Sequence, residues 1–417
     1  MRILQVNKFN YRRGGAEAYM EDLAELQERA GHTVEFFAME HPDNRPSTYG
    51  QFFPSQVDFE PPPPTLSGKV KGVGRMLWSR SAEHGMASVV DAFQPDVVHL
   101  HNIYHQLSPS ILRPLAARGI PAVMTLHDYK LACPTHNFLS HGVACEACLG
   151  GHFFQAVRRK CQGGSVTASA AAALELELHT ITRAYKPVGV FICPSQFMLG
   201  KMTEAGVFPD RLRRLSHFID VSEIPVRTEP GRGVFYAGRL SDEKGVDVLV
   251  RAAAHLRDDV EVHLAGDGPE LDSLRALADQ CAPGRIHFHG RVPRERVQEF
   301  MRQAAVVVLP SRCYENQPIA VLEAFAAGTP VVGARLGGVP ELVQPGVTGE
   351  LAPANDPQGF ARAIQGLIDD PGAAAALGKQ ARAYVERDFS PAVHLARLGD
   401  LYAEAARVKD GRVGTTT

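Results

Sequence analysis

Apolar positions along the first half of the chain fall into two alternating patterns. Short runs such as "RILQVN" (2–7), "HTVEFFAM" (32–39), "DVVHLHN" (96–102), "PAVMTLHD" (121–128) and "GVFICPS" (189–195) are nearly continuous in apolar and β-branched residues. Such runs predict strands buried on both faces. Between them, apolar residues recur at helical spacing in 14–31, 67–93, 108–119, 165–185 and 197–206. Gly31 ends the first of these as a C-terminal cap, and Gly68, Gly72, Gly74 and Gly85 weaken the start of the second. The stretch 42–64 is proline-rich and irregular.

A second series begins at "GVFYAGR" (233–239). It continues through strands at 260–266, 286–290, 305–311 and 330–335, with helices at 245–256, 268–280, 294–304 and 318–328. The remainder reads as mostly helical, with "GRVGTTT" as a frayed tail. Between the two series, 217–231 is punctuated by proline and lacks a period, as expected for a connection. The predicted architecture is α/β, with two doubly wound, Rossmann-like parallel sheets facing a cleft. The expected units are 1–216, a linker at 217–231, a second unit at 232–390, and a last helix with tail at 391–417 that crosses back to the first. In such sheets ligands bind beyond the carboxyl ends of the strands, so residues just after strands are the functional candidates.

Composition narrows the class. The chain has 417 residues, 45% hydrophobic and 22% charged, with formal net charge −2. It lacks the basic footprint of a nucleic-acid binder. The opening "MRILQVN" is strand-like and has none of the features of a signal peptide, and no apolar run reaches the roughly 18 residues of a membrane span. A cytoplasmic location is the expectation. Disulfides are rare there, so clustered cysteines point to metal or redox chemistry.

Four strand ends carry chemistry. In "NKFNYRRGGAEAY", Gly14 and Gly15 separate a strand from a helix, which suits close approach of a phosphate or simply a flexible turn. In "TLHDYKL", His127 and Asp128 end a strand and point toward the cleft, or form an ordinary polar strand end. In "FYAGRLSDEKG", Arg239 and Lys244 converge near a helix start, as a diphosphate requires, the plainer reading being a solvated basic turn. In "SRCYENQPIAVLEAF", Glu315 lies in a loop, Pro318 or Ile319 opens a helix, and Glu323 sits in its second turn between apolar neighbours. Carboxylates suit sugar and ribose hydroxyls because each oxygen accepts hydrogen bonds. Asn316 and Gln317 face the same cleft.

Taken in order, "GGAE", "PDVVHLHN", "TLHD", "AGRLSDEKG", "LAGDGP", the spacing E-x7-E from Glu315 to Glu323, "GGVPELV" and "GVTGEL" resemble glycosyltransferase family 4 over nearly the whole chain. Those enzymes have the GT-B fold and transfer sugars with retention. The resemblance implies that Gly14 and Gly15 approach the donor phosphates and that His127 lies beside the donor sugar. It further implies that Arg239 and Lys244 bind the diphosphate, and that Glu315 and the amides of Asn316, Gln317, Pro318 and Ile319 hold the transferred sugar. Glu323 would bind the ribose, and the loop at Gly290 and Val292 would border the base. The implied donor is a UDP- or GDP-sugar. The acceptor would be a sugar, cyclitol or lipid-linked hydroxyl, with no metal in the transfer step. The competing readings are a nucleotide-sugar epimerase of the same fold and a non-catalytic nucleotide-sugar-binding or zinc-mediated interaction protein.

Two further features need an account. Lys69, Lys71, Arg75 and Arg80 surround Leu77 and Trp78, a pattern that docks on anionic lipid, although a helix packed on its sheet is the favoured reading. Cys133, Cys145, Cys148 and Cys161, four of the chain's seven cysteines, have the spacing C-x11-C-x2-C-x12-C. Four thiolates can close a tetrahedral structural zinc site, with His136, His141 and His152 as possible substitutes. Reduced thiols or a disulfide are the alternatives. The insert 133–161 starts just after Asp128, so it is expected at the rim of the cleft, shaping the acceptor side.

Overall fold

The computed structural model describes residues 1–57, 59 and 66–409, without the side chains of 66, 67, 69, 70, 223, 408 and 409. The Lys69 side chain, the proline run 61–64 and the tail 411–417 therefore lie outside the described residues. Each alternating series closes into its own six-stranded parallel sheet. The first contains β1 (Arg2–Val6), β2 (Thr33–Phe37), β3 (Val97–Leu100) and β4 (Ala122–Thr125). After a two-stranded hairpin, β5 (Leu139–Ser140) and β6 (Val143–Ala144), it resumes with β7 (Val190–Cys193) and β8 (Leu212–Arg214). The second contains β9 (Val234–Ala237), β10 (Val262–Ala265), β11 (Ile286–Gly290), β12 (Val306–Leu309), β13 (Val331–Ala334) and β14 (Gly349–Ala352).

The strand orders are β2-β1-β3-β4-β7-β8 and β11-β10-β9-β12-β13-β14. In each, the winding direction reverses once, between β1 and β3 and between β9 and β12. The chain diverges from these strand ends and leaves a crevice there. The segments that emerge are Asn7–Lys8 and His101–Asn102 in the first sheet, and Gly238–Arg239 and Pro310–Ser311 in the second. The topology therefore selects much of the site before any side chain is considered.

The central strands are buried on both faces, as their apolar runs predict: β3, β4, β7, β12 and β13 have no exposed position. Phe37, Phe93, Phe191 and Tyr129 fill the first core, and Tyr236, Phe360 and Ile364 the second. Each such side chain contributes roughly 1.5–3 kcal/mol by leaving water. The helix Pro391–Lys409 packs on the first sheet, where Leu398, Tyr402 and Ala405 share a core with Ile3, Val97 and Val190. The connection after His217 is also more than a tether: Ile219 and Ile224 are buried among residues of the second sheet's helices.

Several elements differ from the sequence expectation. The helical run 67–93 is two helices, Leu66–Leu77 and Arg80–Phe93, because Ser79 is extended and its hydroxyl accepts from Ala82 N to start the second. β8 (LRR) and β14 (GELA) lack the continuous apolar run of the central strands, and both are edge strands, which need only one paired side. The basic cluster also loses a member: Arg75 is buried, with Nε donating to the Gln106 carbonyl at 3.0 Å. Trp78 is half-exposed, and its indole donates to Glu83 at 2.8 Å. Among the described residues no helix is long and apolar enough to cross a membrane.

Candidate active site between the two sheets

His127 follows β4 and forms the N-terminal wall. Its Nε2 lies 2.9 Å from His101 Nδ1, and its ring stacks on His217 at 5.5 Å, with Tyr19 against both. Burial pushes His127 down to about 4, only partly offset by Asp128, so the imidazole is neutral at neutral pH. Asp128 accepts from Lys130 N at 2.9 Å. It is thereby held as a turn-forming side chain beside His127.

The C-terminal wall is ionic. Lys244 Nζ lies 2.7 Å from Glu315 Oε1, which also accepts from the Ser311 hydroxyl at 2.6 Å. Burial opposes both charges, but the pair overrides it: Glu315 drives Lys244 up, and Lys244 holds Glu315 down. Both residues depend on glycines for position. Gly245, at φ 62°, lets the chain turn directly after Lys244, and a Cβ there would stand 2.3 Å from the Pro310 carbonyl. Gly338 N donates to the Glu315 carbonyl at 2.7 Å, and a Cβ on Gly338 would stand 2.0 Å from the Asn316 carbonyl. The "GGVPEL" glycines thus let a second loop lie flat against the one that carries Glu315.

The loop after Glu315 joins the walls. Asn316 Nδ2 donates to the His127 carbonyl at 2.7 Å, and Gln317 Oε1 accepts from His217 N at 2.5 Å. Pro318 is the N-cap of the helix Ile319–Ala326, and the Ile319 side chain reaches toward Gly15 across the cleft, 3.8 Å from where its Cβ would stand. His127, Lys244, Glu315, Asn316 and Gln317 are therefore one contiguous constellation. Gly14 is the N-cap of the helix Gly15–Arg29, and both glycines are exposed. Arg239 is exposed just beyond β9, and Tyr236 donates its hydroxyl to the Arg239 carbonyl at 2.9 Å. Gly290, at φ 65°, ends β11, and Val292 packs on the apolar core behind the helix.

Glu323 sits in a different charged cluster. Burial pushes it up, partly countered by Arg294, whose Nε lies 3.6 Å away. Arg294 also approaches Asp22 of the first domain at 3.6 Å, and Arg12 pairs with Glu21 and Asp22. A small cavity between the domains opens among Arg12, Asp22, Arg294 and Ile319.

All four insert cysteines are free thiols. Burial, together with the other three, pushes Cys148 up to about 12. Cys145 follows the β5–β6 hairpin, and Cys161 Sγ donates to the Ser140 hydroxyl at 3.8 Å. Among the described residues, however, no three His, Cys, Asp or Glu side chains are arranged to hold a metal ion. The insert also touches the second domain. Glu146, between Cys145 and Cys148, accepts from the Tyr314 hydroxyl at 2.7 Å and pairs with Lys201 at 2.7 Å.

Sequence reasoning missed Ser311, Tyr314, Arg294, His101, His217 and Glu341. Glu341 accepts from Gln196 N at 2.9 Å and Phe197 N at 2.6 Å, capping an N-terminal-domain helix from the opposite domain. Only Arg294, at a helix start beside "GRVP", and Glu341, within "GGVPEL", carried a local signal. Ser311 and His101 find their partners within their own domains, and Tyr314 and His217 meet theirs only where the two domains face each other.

The chain matches two family models end to end: Glycosyltransferase Family 4 over residues 13–223 and Glycosyl transferases group 1 over 222–384. A D-inositol 3-phosphate glycosyltransferase from Catenulispora acidiphila is 30% identical over 307 residues, 68% of this chain and 66% of that one. For others of that name the matched stretch is under half of their length. Among solved structures, sucrose-phosphate synthase from Thermosynechococcus elongatus superposes with a TM-score of 0.72 at 19% identity, covering 98% of this chain and 99% of that one. Anabaena HepE, in complex with UDP and glucose, gives 0.66 at 20% identity, covering 97% and 99%. With two wound sheets facing a cleft and both family models matched, the chain has the GT-B fold and belongs to glycosyltransferase family 4.

Proposed function

We propose that the protein is a retaining glycosyltransferase that moves a sugar from a nucleotide-diphosphate sugar to a hydroxyl acceptor. The observation that carries this reading is the Lys244–Glu315–Ser311 group, joined through Asn316 to the backbone of His127. Lys244 is a fixed cation at the foot of a cleft, where a leaving diphosphate gains negative charge as the sugar–oxygen bond breaks. Arg239 supplies a second cation near the surface. Preorganised charge of this kind lowers a barrier by roughly 3 kcal/mol per donor. The sugar's anomeric carbon loses its bond to the phosphate oxygen, which keeps the electron pair. The acceptor oxygen bonds to that carbon from the same face, and its proton passes to the leaving phosphate. Glu315 holds sugar hydroxyls and is not assigned as a nucleophile. The two cations take the part a divalent ion plays elsewhere.

The donor class is supported by HepE, which was solved with UDP and with UDP-glucose. A cyclitol or saccharide acceptor is supported by the inositol-phosphate transferases among the relatives. The same proposal places zinc on Cys133, Cys145, Cys148 and Cys161. The C-x2-C pair beside a hairpin supports it. Binding would require the side chains to turn onto one ion. Metal analysis of protein purified without chelator tests it, and less than about a tenth of a zinc per chain would end it.

The test of function is a screen of UDP- and GDP-sugars against inositol phosphates, saccharides and lipid-linked acceptors, with and without EDTA, and with product anomer read by NMR. Retained product formed in EDTA is expected. Donor consumed without acceptor would instead indicate an epimerase. Donor binding with no product from any acceptor would favour a binding protein, and a glycosyl adduct trapped on Glu315 would overturn the same-face mechanism.

A further inference from the structure

Behind His127 runs a chain of buried hydrogen bonds that donor binding does not call on. Its direction is set by the two amides in its middle, Gln27 and Gln5, whose oxygens can only accept. At its start His99 Nε2 lies 2.7 Å from Thr125 Oγ1, and His99 Nδ1 lies 2.8 Å from the Tyr402 hydroxyl. Tyr402 donates there and accepts from Gln27 Nε2 at 2.9 Å. Gln27 Oε1 accepts from Gln5 Nε2 at 2.8 Å, and Gln5 Oε1 accepts from His101 Nε2 at 2.8 Å. Consequently His101 Nδ1 is a lone pair, and the proton in its 2.9 Å contact belongs to His127 Nε2.

Two conditions make this deduction hold. Every imidazole in the chain must be neutral, and burial depresses all three: His99 to about 3, His127 to about 4, and His101 well below its ordinary value. The middle of the chain must also exclude water, which could reverse a link. Gln5, Gln27, His99, His101 and Thr125 are each 0% exposed. One of the links, Tyr402, lies on the returning C-terminal helix, so the protonation pattern at the cleft is fixed partly by the far end of the chain.

We propose that Gln5, Gln27, His101 and Tyr402 are positioning residues that hold His127 as its Nε2–H tautomer, leaving Nδ1 as a hydrogen-bond acceptor at the cleft. This rests on the transferase reading for its consequence. An acceptor nitrogen cannot bind a phosphate oxygen, so contact with the diphosphate falls to Lys244 and Arg239, and His127 reads a hydroxyl of the sugar or of the acceptor.

The test is two-dimensional NMR of the full chain labelled with 15N-histidine, with His127 assigned by loss of its signals in H127N. The expected result is one protonated nitrogen, Nε2, and one lone-pair nitrogen, Nδ1, in the wild type. Protonation at Nδ1 overturns the proposal whether or not any transferase activity is found, which separates its failure from that of the function. Gln5→Leu removes the acceptor for His101 Nε2–H. It should give mixed tautomers at His101 and His127 and lower kcat about tenfold with donor KM nearly unchanged. A Gln5→Leu protein that keeps the wild-type tautomer signals would overturn the relay. If Gln5→Leu does not fold, the wild-type spectrum still decides.

Discussion

On the N-terminal wall of the cleft, His99, His101, His127, His217 and His394 are all held neutral by burial. On the C-terminal wall, Lys244 and Glu315 are held charged by each other against the same force. Burial is common to both; the partner differs. An imidazole stacked on imidazoles has nothing to stabilise a proton, whereas a lysine 2.7 Å from a carboxylate does. The first wall is suited to reading hydroxyl groups, and the second to meeting charge that develops during reaction. The division predicts that the two walls fail differently when perturbed.

The largest effect belongs to the charged wall. Lys244→Ala should lower turnover by about two or more orders of magnitude, from a lost stabilisation of roughly 3 kcal/mol. Steady-state kinetics on protein whose circular dichroism matches wild type measures it. Turnover within a few-fold of wild type would remove Lys244 from the phosphate role and collapse the contrast between the walls.

Acid separates the walls next. A histidine whose folded pKa lies below its ordinary 6.5 is protonated sooner in the unfolded chain as pH falls. The unfolded chain then binds more protons, so stability declines below about pH 6.5 and continues to decline toward the folded values near 4. Glu315, held below its ordinary 4.5, acts in the same sense but at lower pH: its contribution is present above that value and is lost only below it. Between about pH 6.5 and 4.5 the slope therefore comes from the histidines, at up to about 1.4 kcal/mol per pH unit for each. Urea midpoints across that range should fall, and His394→Gln should flatten the slope by about one histidine. A flat profile would mean that the neutral wall is not neutral.

Glu323 tests where the charged wall ends. Burial raises its pKa, and its nearest cation is Arg294 rather than Lys244. If it binds ribose hydroxyls, Glu323→Gln should raise donor KM about tenfold with little change in kcat, the loss of one hydrogen bond to a charged group. An equal fall in kcat would instead place Glu323 with the reacting atoms.

How much of this was legible in the sequence follows from what each feature depends on. The sheets were readable because central strands are apolar on both faces, and "VVVLPS" admits few other structures. Lys244 and Glu315 draw notice in the sequence because they stand near strand ends and glycines, and Glu323 because it is a carboxylate among apolar helix residues, all of which are local signals. The edge strands β8 (LRR) and β14 (GELA) were not readable, since they lack the continuous apolar run of the central strands. His101 was also hidden: in "DVVHLHN" it reads as a polar strand end, and only the arrival of Gln5 from β1 and His127 from β4 gives it partners. Tyr314 stands beside Glu315 in the sequence, yet its contact is with Glu146, in an insert of the other domain.

That last contact yields the smallest expected effect, and it tests whether the cysteine insert belongs to one wall or to both. Glu146 is held on two sides, by Lys201 within its own domain and by the Tyr314 hydroxyl from across the cleft, each at 2.7 Å. Burial, together with hydrogen bonding to that carboxylate, pushes the Tyr314 phenol up to about 12, so it remains a donor at every working pH. Tyr314→Phe removes the bond while keeping the ring, whose edge packs on Phe197 at 4.8 Å. Loss of one such bond costs about 1 kcal/mol, roughly fivefold in an equilibrium. If the insert helps hold the Glu315 loop in place, calorimetry should show donor affinity falling about fivefold, while Lys201→Met, which cuts only the bond inside the first domain, should leave it nearly unchanged. Equal losses in the two variants would show that Glu146 supports the insert's own fold, and the insert would then belong to the N-terminal wall alone.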